Sequence, residues 1–342
     1  MQSLLTSLLA GYLLTSLALG QDSSADLDPS GSYKQLGRGL NIGNYLENPH
    51  PNDWQIKFEN GDFSRIHNAG FNNVRIPMNW SAHVGAAPDF VVDPAYFKKV
   101  DETVHAALNA GLFVIIDDHN DSALMEDPDK YSDRFLAIWK QVSEHFKDEP
   151  ASVLFELLNE PIKKMDAAHL NPLMAKSLAI VRATNPTRTV IIGDMWSYAT
   201  SKKALDQMVL PEDDHHILIT VHYYNPLEFT HQGAAFVPGA MAWLGTKWGS
   251  DADKQAVVKD LDETADWARE HHRPIYLGEF GTYLKGDMDS RAKWAEFVAR
   301  TAEARGFSWS YYDFASGFGV CDPQTKDWIK PLRDALVPPS TP

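Results

Sequence analysis

The sequence predicts an α/β fold, a single (β/α)8 TIM barrel, and two observations lead to that prediction. Short apolar runs rich in β-branched residues recur eight times along the chain. Between them lie amphipathic stretches whose apolar residues repeat at three- and four-residue steps. Because strand–helix alternation requires crossover connections, the strands must be parallel. Eight such units, with apolar residues on both faces of most strands, favour a closed barrel over an open doubly wound sheet.

The predicted elements alternate regularly from one end of the chain to the other. We expect strands at Gly39–Ile42, Asn73–Ile76, Leu112–Asp117, Val153–Leu157, Thr189–Gly193, Ile217–His222, Ile275–Gly278 and Ser308–Tyr312. We expect helices at Tyr96–Asn109, Arg134–Phe146, Asp166–Arg182, Asp251–Glu270 and Ser290–Arg305. No Gly-x-Gly-x-x-Gly motif follows the first strand, so the phosphate fingerprint of a dinucleotide-binding sheet is missing.

The amino-terminal stretch has the pattern of a secretion signal. Leu4–Leu19 is apolar and uncharged, although no Lys or Arg precedes it, and it ends in the small-x-small sequence Ala18-Leu19-Gly20. We therefore predict a signal peptide over residues 1–20, a spacer over 21–32, the barrel over 33–337 and a tail over 338–342. The expected location is secreted or periplasmic. A retained anchor is the alternative, but the stretch is shorter than the ~18 to 20 apolar residues that span a bilayer.

The charge and the cysteine count exclude several classes of protein. The 342 residues include 31 Lys and Arg against 46 Asp and Glu, which gives a net charge of −15, and they contain no basic run. A chain this acidic repels phosphate backbones and anionic lipids, so we expect no nucleic-acid partner and no membrane partner after leader removal. The single cysteine, Cys321, excludes an internal disulfide framework and a four-cysteine metal site. We expect a monomer.

Polar side chains gather at the carboxyl ends of the predicted strands, where barrel enzymes build their active sites. They comprise amides, carboxylates, imidazoles, phenols, a guanidinium and an indole. They are Asn44, Glu47, Arg75, Asp117, Asp118, His119, Asn159, Glu160, His222, Tyr223, Tyr224, Asn225, Glu279, Trp309, Tyr311 and Asp313.

Glu160 and Glu279 are the best candidates for catalysis. Each directly follows an apolar strand, and strands 4 and 7 of a barrel lie across the mouth from one another. Two carboxylates that face one bond are what glycoside hydrolysis requires: one acts as general acid, the other as nucleophile or base. For a single glutamate, helix capping or an ion pair with a lysine would be the better interpretation. Two glutamates, each with polar neighbours, favour catalysis.

Three residues expected near these glutamates have side chains that could assist the reaction or bind the sugar. The guanidinium of Arg75 would lower the pKa of a carboxylate and keep it ionised, as a nucleophile requires, and Tyr224 can donate a hydrogen bond to the same group. Asn159 can bind a sugar hydroxyl near the reacting carbon. His119 and His222 are ambiguous, because a lone histidine is more often structural than catalytic.

Two further interpretations concern metals and tryptophans. Asp117, Asp118, His119 and His222 would allow a metal site, but no His-x-His or His-Glu-x-x-His spacing supports one, and we expect neither a metal nor a cofactor. Ten tryptophans suggest stacking on sugars, although core packing is the better interpretation for any one of them. The candidates are Trp309, Trp196, Trp243 and Trp248.

These residues lie in motifs that resemble glycoside hydrolase family 5, the cellulase family of retaining (β/α)8 enzymes. The resemblance runs from about residue 36 to residue 336. Residues 153–161, VLFELLNEP, resemble the signature around the family's acid/base glutamate, and residues 278–281, GEFG, resemble its nucleophile strand. Three further runs resemble a bacterial endoglucanase subfamily, subfamily 25, some of whose members also cleave mannan. These runs are RGLNIGN at 38–44, NVRIP at 73–77 and VHYYNPLEFTHQG at 221–233.

The resemblance implies a role for each matching residue. Glu160 would be the acid/base and Glu279 the nucleophile, held by Arg75 and Tyr224, with His222 near Glu160. Sugar contacts are then expected from Asn44, Glu47, His119, Asn120, Asn159, Trp196 and, as stacking platform, Trp309. Close relatives often carry a second histidine at the position of Asn120, so we expect this residue to tune the sugar pocket.

The sequence thus predicts a retaining endo-β-1,4-glucanase that cleaves cellulose-type and mixed-linkage glucans by double displacement. The long segment 225–249 after the sixth strand would wall an open groove. Two alternatives stay open within enzymes: a β-mannanase or bifunctional glucanase/mannanase, and a metal-dependent hydrolase. A non-catalytic carbohydrate-binding barrel is the alternative from another class.

Overall fold

The strands close into one barrel in which each strand is parallel to its neighbours. The computed structural model describes residues 35–48, 58–119, 121–193 and 201–339. Its strands pair in sequence order, and β1 also pairs with β8. They are β1 Arg38–Asn41, β2 Asn73–Met78, β3 Phe113–Asp118, β4 Val153–Glu156, β5 Val190–Gly193, β6 Ile217–Tyr223, β7 Ile275–Phe280 and β8 Ser308–Tyr311. The predicted (β/α)8 barrel is confirmed, and every predicted strand overlaps an observed one.

Helices lie in the connections between these strands, and one more follows β8. They are α1 Gly61–Asn68, α2 Pro94–Asn109, α3 Ser122–Glu126, α4 Pro128–His145, α5 Ala167–Thr184, α6 Lys202–Leu205, α7 Leu227–Thr230, α8 Asp251–His271, α9 Met288–Glu303 and α10 Lys330–Leu336. The five predicted helices correspond to α2, α4, α5, α8 and α9. The helix α1 escaped prediction because its eight residues hold too few apolar repeats to set a period.

Side-chain caps decide where the long helices begin. Asp93 and Asp166 each accept backbone N–H groups from the first turn of α2 and α5. Ser250 and Asp253 form a reciprocal capping box at the start of α8. These caps satisfy donors that would otherwise lack partners at the helix ends.

The apolar core has two parts, one on each side of the strands. Inside the barrel, one small cluster packs together, made of Leu36, Ile115, Leu154, Ile191, Leu218 and Tyr276. A larger cluster lies between the sheet and the helices and includes Val114 and Ile116, the two neighbours of Ile115 in β3. Because side chains alternate between the faces of a strand and both faces are covered, the strands are apolar throughout.

The interior becomes polar toward the carboxyl ends of the strands. Asn41, Arg75, Asp117 and Glu156 are all fully buried there. Asn41 Nδ2 donates to the Gly278 carbonyl at 2.9 Å and so joins β1 to β7 past the intervening β8. This buried polar layer forms the floor on which the candidate site is built.

The strands β7 and β8 approach very closely at the same end. A Cβ atom on Gly281 would lie 2.0 Å from the Tyr312 carbonyl oxygen. Only glycine permits this approach without a backbone shift. Glu279 and Tyr312 are therefore brought to one opening.

None of the helices described above is both long and apolar enough to cross a lipid bilayer. The predicted signal peptide and spacer, residues 1–32, lie outside the described residues, as do the last three residues of the predicted tail.

Candidate active site

One cavity at the carboxyl end of the barrel contains most of the predicted site residues. Its volume is about 730 Å³. The predicted residues that line it are Asn44, Glu47, His119, Asn159, Glu160, Tyr224 and Glu279. Arg75 and His222 are fully buried beneath it and contact the two candidate glutamates.

Glu160 and Glu279 converge on the cavity together with His222. One oxygen of each carboxylate and one nitrogen of the imidazole lie within 4.8 Å of one another. His222 Nδ1 is 2.8 Å from Glu160 Oε1 and 3.7 Å from Glu279 Oε2. Glu160 has a φ of 38°, in the left-handed region that residues other than glycine rarely adopt. Such backbone strain persists where the surroundings hold it, and it is frequent at functional sites.

The guanidinium of Arg75 is fully buried and all of its N–H groups have acceptors. Nε and Nη2 bind Glu156 in a bidentate pair, with both distances at 2.8 Å. Nη1 donates to Glu279 Oε1 at 2.7 Å and to Asn41 Oδ1 at 2.9 Å. Nη2 also donates to Asn159 Oδ1 at 2.8 Å. Because a bidentate pair fixes the plane of the guanidinium, Glu156 determines where Arg75 holds Glu279.

Glu279 is kept ionised by its partners. Tyr224 donates from its hydroxyl to Glu279 Oε2 at 2.9 Å, while Arg75 occupies the other oxygen. Burial alone would raise the pKa of Glu279, but the positive charges of His222 and Arg75 outweigh it and bring that pKa well below its usual range. Burial and the nearby Glu279 charge raise the pKa of Tyr224 well above its ordinary value, so this phenol remains a donor.

His119 lines the same cavity and pairs with a buried carboxylate. Its Nδ1 is 2.5 Å from Asp117 Oδ2. Burial lowers the pKa of His119, but the carboxylates of Asp117 and Glu47 outweigh that effect and raise it to about 9. His119 Nε2 lies 3.3 Å from Asn159 Nδ2, so the ring is held between Asp117 and Asn159 at the cavity wall.

Glu47 supplies a hydrogen-bond acceptor at the cavity wall. Its Oε1 accepts from the Tyr312 hydroxyl at 3.4 Å, whereas its Oε2 is buried without a hydrogen-bond partner in the described part of the chain. Burial raises the pKa of Glu47. A buried acceptor oxygen that faces a cavity is suited to bind a hydroxyl group.

An aromatic wall lines the rest of the cavity; two of its residues lie in the segment 225–249 that was expected to wall the groove, and the other three were not assigned. It consists of His231, Phe236, Tyr283, Tyr312 and Phe318. The Phe318 ring centroid lies between 5.2 and 6.4 Å from those of the other four rings. Tyr312 could have been found from its position, since it directly follows β8 at the end where the other strands carry site residues.

Trp309 does not reach the cavity, so the prediction that it is the stacking platform is wrong. It pairs with Arg38 of β1 near the start of β8 and is fully buried. Its Nε1 donates to Glu303 Oε1 of α9 at 3.1 Å, and its ring packs edge-on against Phe280. The strand reaches the cavity three residues later, where Tyr312 stands.

The remaining predicted sugar contacts have different outcomes. Asn120 and Trp196 lie outside the described residues. Trp248 is buried and packs against Phe297, in agreement with the core-packing interpretation. Trp243 is half-buried at the end of a short 3-10 helix, Ala240–Trp243.

The site residues fit a bound cation poorly. Glu160, His222 and Glu279 converge closely enough to offer ligands, but both oxygens of Glu279 already accept hydrogen bonds, from Arg75 and Tyr224. A cation at this point would also face the Arg75 guanidinium. The alternative metal set fails for another reason: Asp117 and Asp118 are consecutive in β3, so their side chains point to opposite faces.

Comparison with known proteins is consistent with this architecture. Endoglucanase H of Acetivibrio thermocellus is 34% identical over 321 residues, which cover 92% of this chain and 34% of that protein. The chain thus spans about a third of this relative. Crystal structures of Cel5A from Thermotoga maritima in complex with cellobiose and with mannotriose superpose with a TM-score of 0.88 each. Their identities are 43% and 42%, and each covers 91% of this chain and 100% of the other.

A family model also matches the barrel itself. The model of the cellulases, glycosyl hydrolase family 5, matches residues 43–317. That range contains both candidate glutamates, Arg75, His222 and Tyr224. The match does not distinguish subfamilies, so subfamily 25 stays a prediction. The chain belongs to the cellulase family, glycosyl hydrolase family 5.

Proposed function

We propose that this protein is a retaining endo-β-1,4-glucanase. The observation that carries the proposal is the short separation of Glu160 and Glu279, whose nearest oxygens lie within 4.8 Å. Retaining glycosidases hold their two carboxyl groups about 5 to 5.5 Å apart, whereas inverting enzymes need about 6.5 to 9.5 Å to admit a water molecule. The separation supports direct attack by one carboxylate on the sugar.

In the first step, Glu279 is the nucleophile. A Glu279 oxygen forms a bond to the anomeric carbon while the bond from that carbon to the leaving oxygen breaks, and Glu160 gives its proton to the leaving oxygen. The low pKa of Glu279 keeps the attacking carboxylate ionised. His222 Nδ1 forms a hydrogen bond of 2.8 Å with Glu160 Oε1 and so orients the carboxyl group of Glu160.

In the second step, water completes the hydrolysis. Glu160, now ionised, accepts a proton from water, whose oxygen bonds to the anomeric carbon as the bond to Glu279 breaks. Arg75 and Tyr224 bind the two Glu279 oxygens and stabilise the carboxylate that departs. The reaction as written needs no metal and no organic cofactor.

The cavity walls suit a neutral polysaccharide. Glu47, His119 and Asn159 offer hydrogen-bonding groups, and the aromatic wall offers flat apolar surface. Pyranose rings have hydroxyl edges and apolar C–H faces, so they match both kinds of surface. Endoglucanase H and the cellobiose complex of Cel5A favour a glucan as the substrate of this chain.

Mannan is the second candidate substrate. The structure of Cel5A with mannotriose, 42% identical to this chain, is the observation that favours it. We further propose that the protein is a secreted or periplasmic monomer, on the basis of the amino-terminal sequence pattern and the polymeric substrate.

Covalent trapping tests the catalytic assignment. A 2-deoxy-2-fluoro cellobioside should leave one glycosyl adduct, because fluorine slows the second step more than the first. Peptide mass spectrometry should locate the adduct on Glu279, and the Glu279→Ala protein should gain no mass and lose turnover by roughly 10³-fold or more. An adduct on another residue, or wild-type turnover in Glu279→Ala, would contradict the assignment.

A substrate panel separates glucanase from mannanase. We expect the highest kcat/KM on barley β-glucan and carboxymethylcellulose and a lower value on glucomannan, measured as released reducing ends. A preference for glucomannan would favour the mannan proposal. Loss of activity on adding a chelator would instead support a metal-dependent hydrolase.

Two aromatic residues of the β8 region should behave differently. Tyr312→Ala should raise KM for oligosaccharides about tenfold with little change in melting temperature, because Tyr312 lines the cavity. Trp309→Phe should lower the free energy of unfolding by about 1 to 3 kcal/mol and leave KM unchanged, because Trp309 is buried against α9. A reversed pattern would refute our assignment of Tyr312 as the sugar contact of this strand.

The acid limb of the pH profile should depend on Tyr224. Glu279 acts when ionised, so kcat/KM is retained at acidic pH and falls as the pH drops through its lowered pKa. Tyr224→Phe removes a donor to the charged form, which raises that pKa and moves the acid limb upward by about one pH unit. Tyr283→Phe, at another phenol of the same cavity, is the matched control and should not move the limb. An unmoved limb in Tyr224→Phe would show that this bond does not control the Glu279 pKa.

A further inference from the structure

Exposed apolar side chains are concentrated beside the mouth of the cavity. Among the described residues, six large apolar side chains are strongly exposed. Four of them belong to the loops that follow β6 and β7, and we call these four the apolar platform: Phe236, Met241, Leu244 and Leu284. Single exposed apolar residues are ordinary, whereas a contiguous group of them marks an interaction surface.

The platform is continuous with the cavity. Phe236 lines the cavity, and its ring packs edge-on against Tyr283 at 5.8 Å. Leu284, the platform residue of the β7 loop, directly follows Tyr283 in the chain. A Cβ atom on Gly233 would lie 2.6 Å from Leu244 Cδ2 and 3.0 Å from Lys285 Cβ, so the two loops touch at this point. A ligand that leaves the cavity past Phe236 therefore meets the rest of the platform.

Met241 belongs to the same surface as Leu244 because of local helix geometry. Met241 lies in the 3-10 helix Ala240–Trp243, and Leu244 is the residue that ends it. With three residues per turn, side chains three positions apart project from the same side. Met241 is 64% exposed and Leu244 is 48% exposed.

The loop after β6, which carries three of the four platform residues, is held by hydrogen bonds from one buried side chain. Gln232 is buried, and its Nε2 donates to the carbonyl oxygens of Phe229 at 3.1 Å and Thr246 at 3.0 Å. Its Oε1 accepts from the Gly245 N–H at 2.9 Å. One side chain thus holds both ends of the loop. The apolar side chains are presented to solvent from a fixed backbone, which lowers the entropic penalty of binding.

We propose that the apolar platform is a polysaccharide-binding surface that extends the substrate groove beyond the catalytic cavity. The inference rests on the proposed function, because the polymer that enters the cavity is the molecule expected to run across the platform. Phe236 supplies an aromatic face, and the other three side chains supply aliphatic surface, against which the apolar C–H faces of successive sugar rings can pack. It binds the long chain and does not take part in the chemical steps.

A second copy of the protein is a weaker candidate for the occupant. A stable protein interface needs about 20 to 30 residues on each side, and the platform offers four. A strip of this size fits a narrow linear polymer that is already anchored in the adjoining cavity. Continuity with the cavity and the limited area therefore both favour the polysaccharide.

The test replaces the three platform residues that do not line the cavity. The variant combines Met241→Ser, Leu244→Ser and Leu284→Ser and leaves Phe236 in place. We expect KM for long barley β-glucan to rise about tenfold, since apolar contact with the chain is lost. Hydrolysis of an aryl cellobioside, which is short enough to occupy the cavity alone, should be unchanged. Val209→Ser is the matched control, because Val209 is 70% exposed but precedes β6 at the other end of the barrel.

Binding is also measured in the Glu279→Ala background, by electrophoresis through gels that contain β-glucan. Retardation should weaken when the three serines are added and stay unchanged with Val209→Ser. If the wild type hydrolyses neither substrate while retardation still depends on the platform, only the catalytic proposal fails. Unchanged retardation and unchanged polymer KM would overturn the platform proposal. A wild-type dimer that the three serines dissociate, seen by sedimentation, would overturn it in favour of a second copy.

Discussion

The candidate site depends on one buried cation, the guanidinium of Arg75. It is fully buried and makes ion pairs with Asp117, Glu156 and Glu279. Removing a charged group from water is unfavourable by several kcal/mol, so a guanidinium in this position requires full hydrogen bonding and nearby negative charge. The surrounding carboxylates and amides supply both. As a result, residues from β1, β2, β3, β4 and β7 are held in one arrangement.

The same charge network divides the acidic groups into different roles. Glu156 is occupied by the bidentate pair with Arg75, and Glu279 receives only one guanidinium hydrogen bond, with the Tyr224 hydroxyl on its other oxygen. Glu160 contacts His222 instead and adopts the left-handed backbone conformation. Glu156 is therefore structural, Glu279 is held ionised, and Glu160 reaches the cavity from a strained backbone conformation. This separation of environments is what acid/base and nucleophilic roles require.

The loops that follow β6, β7 and β8 add aromatic and apolar surface to this polar floor. Phe318 packs at the centre of the aromatic wall, and Phe236 belongs both to that wall and to the apolar platform. A polymer can thus be bound over a longer distance than the reacting bond requires. Binding energy from remote contacts helps to position the bond at the carboxylates.

Patterns along the chain were sufficient for the barrel and for the two glutamates that converge on the cavity. The eight strands could be predicted because residues such as Val114, Ile115 and Ile116 are buried on alternate faces, which leaves an apolar run in the sequence. The candidate glutamates could be predicted because a charge directly after such a run has no packing use. The role of Trp309 was predicted wrongly because residue type alone does not tell which end or face of a strand a side chain occupies.

The sequence by itself determined the fold class and which residues are chemically able to act, because both follow from local patterns of burial and functional groups. Only the tertiary structure decided which of them meet. Tyr312 and not Trp309 lines the cavity, Glu156 and not a surface group orients Arg75, and the loops after β6 and β7 join into one apolar surface. These outcomes depend on barrel closure, which brings together side chains that are more than 200 residues apart, such as Arg75 and Glu279.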